Sequence, residues 1–581
     1  MARHSFSSVP ATATPGSQEE AKLQSGEEVY TTTPQWWWSK KFASGRARNN
    51  RKRNILIIIG LVLLAIIALA VGLGVGLTRG TGKPMAHLPT GGQDDSQSGL
   101  RQSGFYVTSY SGNQQRFAWT EQPLSFITGN QQNRVVVSIN DTNVGQTMTG
   151  WGAAMTDSSA YLLSSLKSQN RTAYDTTMAY LFNRRTGINI LRVPIGTSDF
   201  NPQTWQYTMA DQEGVQANAD DTVGPLSTFN MDGANRYIIP AIKDALVYNP
   251  DLKLALLPWS PPAWMKTNRG INSGSLSPDA IGILPEYLVK SVQGFRDALG
   301  GNVMPWALSV QNEPTNPTAY PSMSMNNDYE LRILAELRGR LAQEGLSSVQ
   351  LLGHEDNFIN WDDAAALMRY NSSALDGIAW HCYNGSSAYI ANYTSNSNNQ
   401  LAGKTMHMTE CSGQDSTTQS DATSLQWWMT NIFTLPKLGV SSVIVWNLAL
   451  DSSNGPRLDR AYCQDCAGAL QIDTSNGVST NLQSPLLAQH AVASSDLTRF
   501  GGGPASLIES TVSNDGADCI DAKAFAANWT VSPTSSTSNV KRYGVVIENT
   551  CDQMQQAYLA RNGQQASVNV PSGITTFVWT A

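Results

Sequence analysis

The sequence predicts an α/β protein: a (β/α)8 TIM barrel with an attached β-sandwich, and an apolar helix ahead of both. Three observations carry this. Across residues 148–470, eight short apolar runs alternate with helix-like segments, the pattern of parallel strands joined by helical crossovers. Short alternating runs separated by turn residues occupy both flanks, 103–147 and 471–581, which suits one antiparallel sheet domain built from the two ends. An uncharged stretch of 23 residues, Ile55 to Leu77, precedes them, long enough to cross a bilayer as a helix.

The N-terminal elements follow in order. Residues 1–39 are rich in Ser, Thr, Pro, Glu and Gln and read as part of a disordered tail, 1–54. Lys40, Lys41, Arg46, Arg48, Arg51, Lys52 and Arg53 crowd the near side of the apolar run, while only Arg79 and Lys83 follow it closely. The positive-inside bias then predicts a single-pass membrane protein, with residues 1–54 cytosolic and the rest extracellular or lumenal. Residues 78–102 read as a flexible stalk. All six N-x-[ST] sequons (Asn140, Asn170, Asn371, Asn384, Asn392, Asn528) and all six cysteines lie beyond the apolar run, in keeping with an oxidising compartment. The net charge of −6 is mild and argues against a nucleic-acid partner.

The eight strand candidates are "MTGWGAAM", "INILRVPI", "LKLALLPWS", "MPWALSVQNE", "VQLLGHE", "GIAWHCY", "KTMHMTE" and "SSVIVWNLAL". Helical stretches between them include Arg236–Tyr248, Pro285–Leu299, Tyr329–Gln343 and Leu425–Leu438. In a barrel of this kind chemistry gathers where strands end. Those ends supply Asp199, Trp259, Asn312, Glu313, His381, Tyr383, Glu410, Trp446 and Asn447. Aromatic faces and neutral hydrogen-bonding groups beside carboxylates form a sugar-binding set. Glu355 also closes a strand, but "GHED" reads equally as the start of a loop, so it is not assigned.

Glu313 and Glu410 close strands on opposite sides of the mouth. Cleaving a glycosidic bond needs one carboxylic acid for the leaving oxygen and one carboxylate for the anomeric carbon, and Glu313 is the expected acid/base. Pro314 is expected to hold Glu313 in an extended backbone.

The motifs "GWGAAMTD", "LRVPIGTSDF", "PWSPPAWMKTN", "VQNEP", "WHCY", "TECSG" and "WNLALD", in this order, resemble those of glycoside hydrolase family 30, the glucosylceramidase-like family. The resemblance runs from about residue 103 to the C-terminus. It implies a retaining double displacement with Glu313 as acid/base and Glu410 as nucleophile. It further implies that Asn312 contacts the sugar 2-hydroxyl, and that Asp199, Trp259, His381 and Trp446 line the subsite of the cleaved sugar. Tyr383 would bond the nucleophile, with Arg192 beside it. Arg192 and Tyr383 are expected to lower the pKa of Glu410, and burial or a nearby anion to raise that of Glu313. After strand 8 the family's glucosylceramidases carry a "GGPNW"-like turn, whereas this chain reads "NGPRLDRAYCQDC". Its arginine and CxxC loop are expected to reshape the leaving-group side of the cleft.

Pleating turns Cys382 and Cys411 away from the pocket on neighbouring strands, placed to form a disulfide behind the site. Cys463 and Cys466 are a lone CxxC, expected as a short loop disulfide rather than a zinc site; Cys519 and Cys551 are expected to join strands of the β-domain. With six histidines and no HExxH motif, nothing calls for a metal or another cofactor. The reading is a membrane-anchored retaining β-glycosidase for β-glucosides such as glucosylceramide. An endo-β-1,6-glucanase or galactanase acting on wall polysaccharide is the alternative, and an inactive carbohydrate-binding protein is the second.

Overall fold

A computed structural model describes residues 103–581 except 110–115, 130–133, 184–186, 203–205, 211–225, 398–400, 414–433, 462, 474–477, 482, 498–503, 514–517 and 530–539. The expected tail, membrane helix and stalk lie outside the described residues, as does the expected helix Leu425–Leu438 apart from 434–438, of which 434–437 are helical. Among the described residues no helix is long and apolar enough to cross a membrane.

Each of the eight candidate runs coincides with one strand of a closed, all-parallel barrel, the fifth strand running two residues past its candidate to Asn357 and the eighth starting one residue ahead of its own at Val440. These are β1 (Gly150–Ala154), β2 (Ile190–Pro194), β3 (Lys253–Leu257), β4 (Ala307–Ser309), β5 (Gln350–Asn357), β6 (Gly377–His381), β7 (Thr405–Glu410) and β8 (Val440–Val445). β8 pairs back onto β1 and closes the ring. Almost every strand residue is buried, since helices cover the outside and side chains fill the inside; this is why the strands read as continuous apolar runs. Side chains alternate along each strand, so Ala307 lies inward below Ser309 and Ala379 inward below His381. With Ala255 and Leu352 these alanines form a compact apolar plug, and the polar residues above it form the mouth.

The crossover helices sit close to expectation. The helix predicted from Tyr329 begins at Asn327, because the Asn326 side chain accepts from the Tyr329 N–H and caps it. The stretch predicted as Arg236–Tyr248 is two helices, Asp232–Arg236 and Ile238–Tyr248.

The second domain is one continuous ten-stranded sheet. Its first strand, Gly104–Ser109, pairs antiparallel with its last, Gly573–Thr580, so both flanks of the barrel sequence meet in it. Alternate residues of its strands (Val135, Val137 and Ile139; Tyr543, Val545 and Ile547) share one inner apolar cluster, the arrangement a sandwich interior requires. Helix Gln483–Ser495 packs on the other face. Gly544 permits that approach, since a Cβ there would sit 2.1 Å from the Ser494 carbonyl oxygen. The same helix reaches the barrel, where the Trp151 indole N–H donates to Ser495 Oγ at 2.8 Å.

All three expected disulfides are formed: Cys382–Cys411, Cys463–Cys466 and Cys519–Cys551.

Candidate active site

Arg192, on β2 and fully buried, organises the mouth. Its Nη1 bonds Glu410 Oε2. Its Nη2 donates to Asn312 Oδ1 at 2.7 Å and to Glu355 Oε2 at 3.0 Å. One guanidinium thereby ties β2, β5, β7 and the segment just beyond β4, its rigid fork suiting several carboxylate and amide acceptors at once.

The expected site residues converge here. The Tyr383 hydroxyl donates to Glu410 Oε1 at 2.9 Å. His381 places Nδ1 3.0 Å from Glu313 Oε1 and Nε2 3.2 Å from Glu355 Oε2. One oxygen of Glu313, one ring nitrogen of His381 and one oxygen of Glu410 lie within 4.8 Å of one another. That spacing would also suit a metal, but each group is already engaged: both imidazole nitrogens face carboxylates, and Glu410 holds Arg192 and Tyr383.

Trp259 and Trp446 pack together beside Arg192. They stack on each other with centroids 5.0 Å apart, 22° between planes, and are only 2% and 3% exposed. The Arg192 guanidinium lies 4.9 Å from the Trp259 ring and 5.9 Å from the Trp446 ring. Their faces support the arginine, a cation–π contact strengthened by burial. Asp199 is buried as well, and Leu458 N–H donates to its carbonyl at 2.8 Å.

The loop after β8 packs against the same flank. Arg457 donates to the Ser453 and Asn454 carbonyls of its own turn. Leu458, Cys463 and Cys466 pack with Phe200, Trp259, Tyr320 and Trp446. The loop therefore braces the Asp199 and Trp446 flank, where the resemblance puts the cleaved sugar.

Two expectations fail. Glu313 is not extended: its φ is +43°, and it lies four residues beyond Ser309, the last residue of β4. Pro314 does not set that geometry. The Glu313 N–H reaches across to the Glu355 carbonyl, Asn316 Nδ2 donates to Glu313 Oε2 at 2.9 Å and Asn357 Nδ2 to Oε1 at 3.4 Å. Nor is Glu410 lowered. Burial pushes its carboxyl above the usual range, outweighing Arg192, His381 and the Tyr383 hydroxyl, with Glu313 adding to the rise.

The remaining electrostatics follow from the same crowding. Burial opposes the His381 imidazolium, but the Glu410 charge and the bonds to Glu313 and Glu355 prevail and raise its pKa to about 10. Burial, then Glu410, pushes Asp199 well above the usual carboxyl range. Glu355 is the opposite case, held below the usual range by Arg192 and His381 despite its burial. Two cations, Arg192 and His381, thus face Glu313, Glu355 and Glu410.

Glu355 is the main residue sequence reasoning missed. Besides Arg192 and His381 it accepts from Ser309 Oγ at 2.6 Å and Thr409 Oγ1 at 2.8 Å. A carboxylate closing the fifth apolar run was the available signal, obscured because the strand continues to Asn357 through residues that read as a loop. Asn357 was also missed; its Oδ1 accepts from the Tyr383 and Asn384 amides, both at 2.9 Å, and so positions the tyrosine.

Residues 148–472 match the glycosyl hydrolase family 30 TIM-barrel domain. An endo-1,6-β-D-glucanase of Neurospora crassa is 27% identical over 351 residues, 59% of this chain and 69% of the relative. Putative glucosylceramidase 1 of Caenorhabditis elegans is 29% identical over 222 residues, 37% of this chain and 39% of the relative. The solved structure of an endo-β1,6-glucanase has the same fold, with a TM-score of 0.66 at 23% identity, covering 82% of this chain and 99% of that one.

Proposed function

Since the chain belongs to glycosyl hydrolase family 30, we propose that it is a retaining β-glycosidase acting on β-1,6-linked glucan. That it is a glycoside hydrolase follows from the family and its relatives. The retaining course is supported by one observation: oxygens of Glu313 and Glu410 lie within 4.8 Å of each other. Retaining enzymes hold their carboxyls about 5–5.5 Å apart, while inverting ones need about 6.5–9.5 Å to admit a water.

In the first step Glu410 attacks the anomeric carbon as the bond to the leaving oxygen breaks, and that oxygen takes the proton of Glu313. Arg192 and the Tyr383 hydroxyl hold Glu410 in line. In the second step water attacks the same carbon, gives its proton to Glu313 and releases Glu410. Having given its proton to the leaving oxygen, Glu313 is left as the base that takes one from the attacking water.

The glucan reading rests on longer matches to endo-1,6-β-glucanases than to glucosylceramidases. Asn316, Asn357 and Tyr383 bring amide and phenol groups to the carboxyls, which suits a polar sugar substrate. Glucosylceramide, the substrate expected first, draws support from the shorter matches alone. We include membrane anchoring through Ile55–Leu77 in the proposal, on the strength of that uncharged run and its basic flank.

The test compares the full-length chain with Glu313→Gln on β-1,6-glucan and on glucosylceramide, following released sugar by mass. Glutamate-dependent oligosaccharide release from the glucan is the expected result. Release of glucose from the lipid alone would overturn the glucan reading.

A further inference from the structure

Arg192 Nη2 and His381 Nε2 are only 3.3 Å apart. Arginine stays protonated in proteins, so a charged imidazole at that distance is tolerated only if an anion lies between them. Glu355 Oε2 is that anion, 3.0 Å from Arg192 and 3.2 Å from His381. Its other oxygen accepts from Ser309 Oγ, and Thr409 Oγ1 also donates to Oε2. The opposite edge of the ring faces Glu313 Oε1 at 3.0 Å. Asn357 Nδ2 also donates to that Oε1, which is therefore an acceptor whether the acid/base proton sits on Oε2 or has been transferred. An imidazole with an acceptor at each nitrogen satisfies both only as the doubly protonated imidazolium.

We propose that Glu355 is a positioning residue, whose carboxylate keeps His381 as an imidazolium aimed at Glu313 and so fixes the charge that faces the acid/base throughout turnover. The inference rests on the reading of Glu313 as acid/base. Without the Glu355 charge, the nearest donor to Nε2 is Arg192. The ring then loses its Nε2 proton, accepts from the guanidinium and keeps only a neutral Nδ1–H toward Glu313. Glu355 also fixes the acid/base backbone, because its carbonyl accepts the Glu313 N–H at 2.9 Å.

Other charges act on the ring too. Glu410 from β7 and Arg192 from β2 are buried beside it; His354 and Asp356 from β5 interact with it; Tyr383 presents its ring edge-on at 6.3 Å. Of these anions, Glu355 is the one hydrogen-bonded at Nε2. Its removal should therefore change the state of that nitrogen selectively.

The experiment is 15N NMR of histidine-labelled full-length protein across pH, with His381 assigned through His381→Asn. It needs no substrate, so it decides the inference even if the glucan reading fails. In the wild type both ring nitrogens of His381 stay protonated through neutral pH. In Glu355→Gln, the His381 titration falls by about 1–3 pH units, Nε2 loses its proton first, and Glu355→Asp restores part of the shift. Should Glu355→Gln fold poorly, Thr409→Val removes one bond to the carboxylate and produces a smaller shift of the same sign. Kinetically, kcat on β-1,6-glucan falls by about 10²-fold with KM little changed, and kcat/KM gains an ionisation coinciding with that of His381. A His381 titration unaltered in both Glu355→Gln and Thr409→Val would overturn the proposal and leave Glu355 a structural counter-ion to Arg192.

Discussion

The Tyr383 hydroxyl lies 2.9 Å from Glu410 Oε1, in a residue that is 43% exposed. Tyr383 is therefore a direct support of the nucleophile that can be altered without cutting into the core. The bond favours the ionised carboxyl. Tyr383→Phe should raise the Glu410 pKa further, moving the acidic limb of the kcat/KM profile to higher pH and lowering kcat. The fold should persist, with Tm little changed; a shift of that limb to lower pH would contradict the assignment.

Glu313 and Glu410 differ in how replacement acts. Glu410→Gln removes the nucleophile, so turnover should vanish whatever the leaving group. Glu313→Gln removes proton donation, worth about 10²–10⁴-fold, and this loss should shrink for a leaving group as acidic as 2,4-dinitrophenol. Steady-state rates on aryl glycosides of graded leaving-group acidity separate the two.

Arg192 is the cation on which Glu355 and Glu410 both depend, and it is fully buried. Arg192→Ala should destabilise the protein by about 3–5 kcal/mol, because two buried carboxylates lose their partner. Arg192→Lys should recover part of this at most, since one ammonium cannot reproduce the fork. Denaturant unfolding measures both.

Burial pushes Glu330 from 4.5 to about 7, against the pull of the His354 N–H that it accepts. The folded state thus holds this proton more tightly than the unfolded state. Its stabilising contribution is complete below about pH 4.5 and is lost as pH rises through 7. Glu330→Gln keeps an acceptor for the His354 amide and never ionises. Its stability relative to wild type should rise from pH 4.5 to 7, by up to ~3 kcal/mol; a flat difference across that window would refute the assignment.

Cys382 and Cys411 directly follow His381 and Glu410, and their disulfide closes a loop of 29 residues. A paired Cys382→Ala, Cys411→Ala variant should lose about 3–4 kcal/mol by loop entropy. Activity at moderate temperature should fall as well, because the bond fixes the ends of β6 and β7. Thermal unfolding beside an activity assay checks both parts.

Much of this architecture is legible in the sequence, because the eight strands are buried on both faces and leave uninterrupted apolar runs. Cys382 and Cys411 follow from the same pleating. What was not legible depends on backbone and burial. Glu313 and Glu355 have φ of +43° and +45° and are joined by an amide–carbonyl bond. Non-glycine residues in that region cost about 1–3 kcal/mol and persist where surrounding contacts overdetermine them. No local pattern signals this, and "NEP" pointed to the wrong conformation. Glu355 was hidden because its strand runs on to Asn357 through residues that resemble a loop. The rise in Glu410 was missed because charge partners can be guessed from motifs, whereas the depth of burial opposing them cannot.

With Glu410 as nucleophile and Glu313 as acid/base, the proposed cleavage of a β-linked glucan proceeds with retention. Proton NMR of the first product formed by the full-length enzyme from β-1,6-glucan tests it most directly, read before the anomers equilibrate. The β-anomer is expected first, with the α-anomer rising later by mutarotation. An initial α-anomer would mean direct attack by water and would contradict the double displacement.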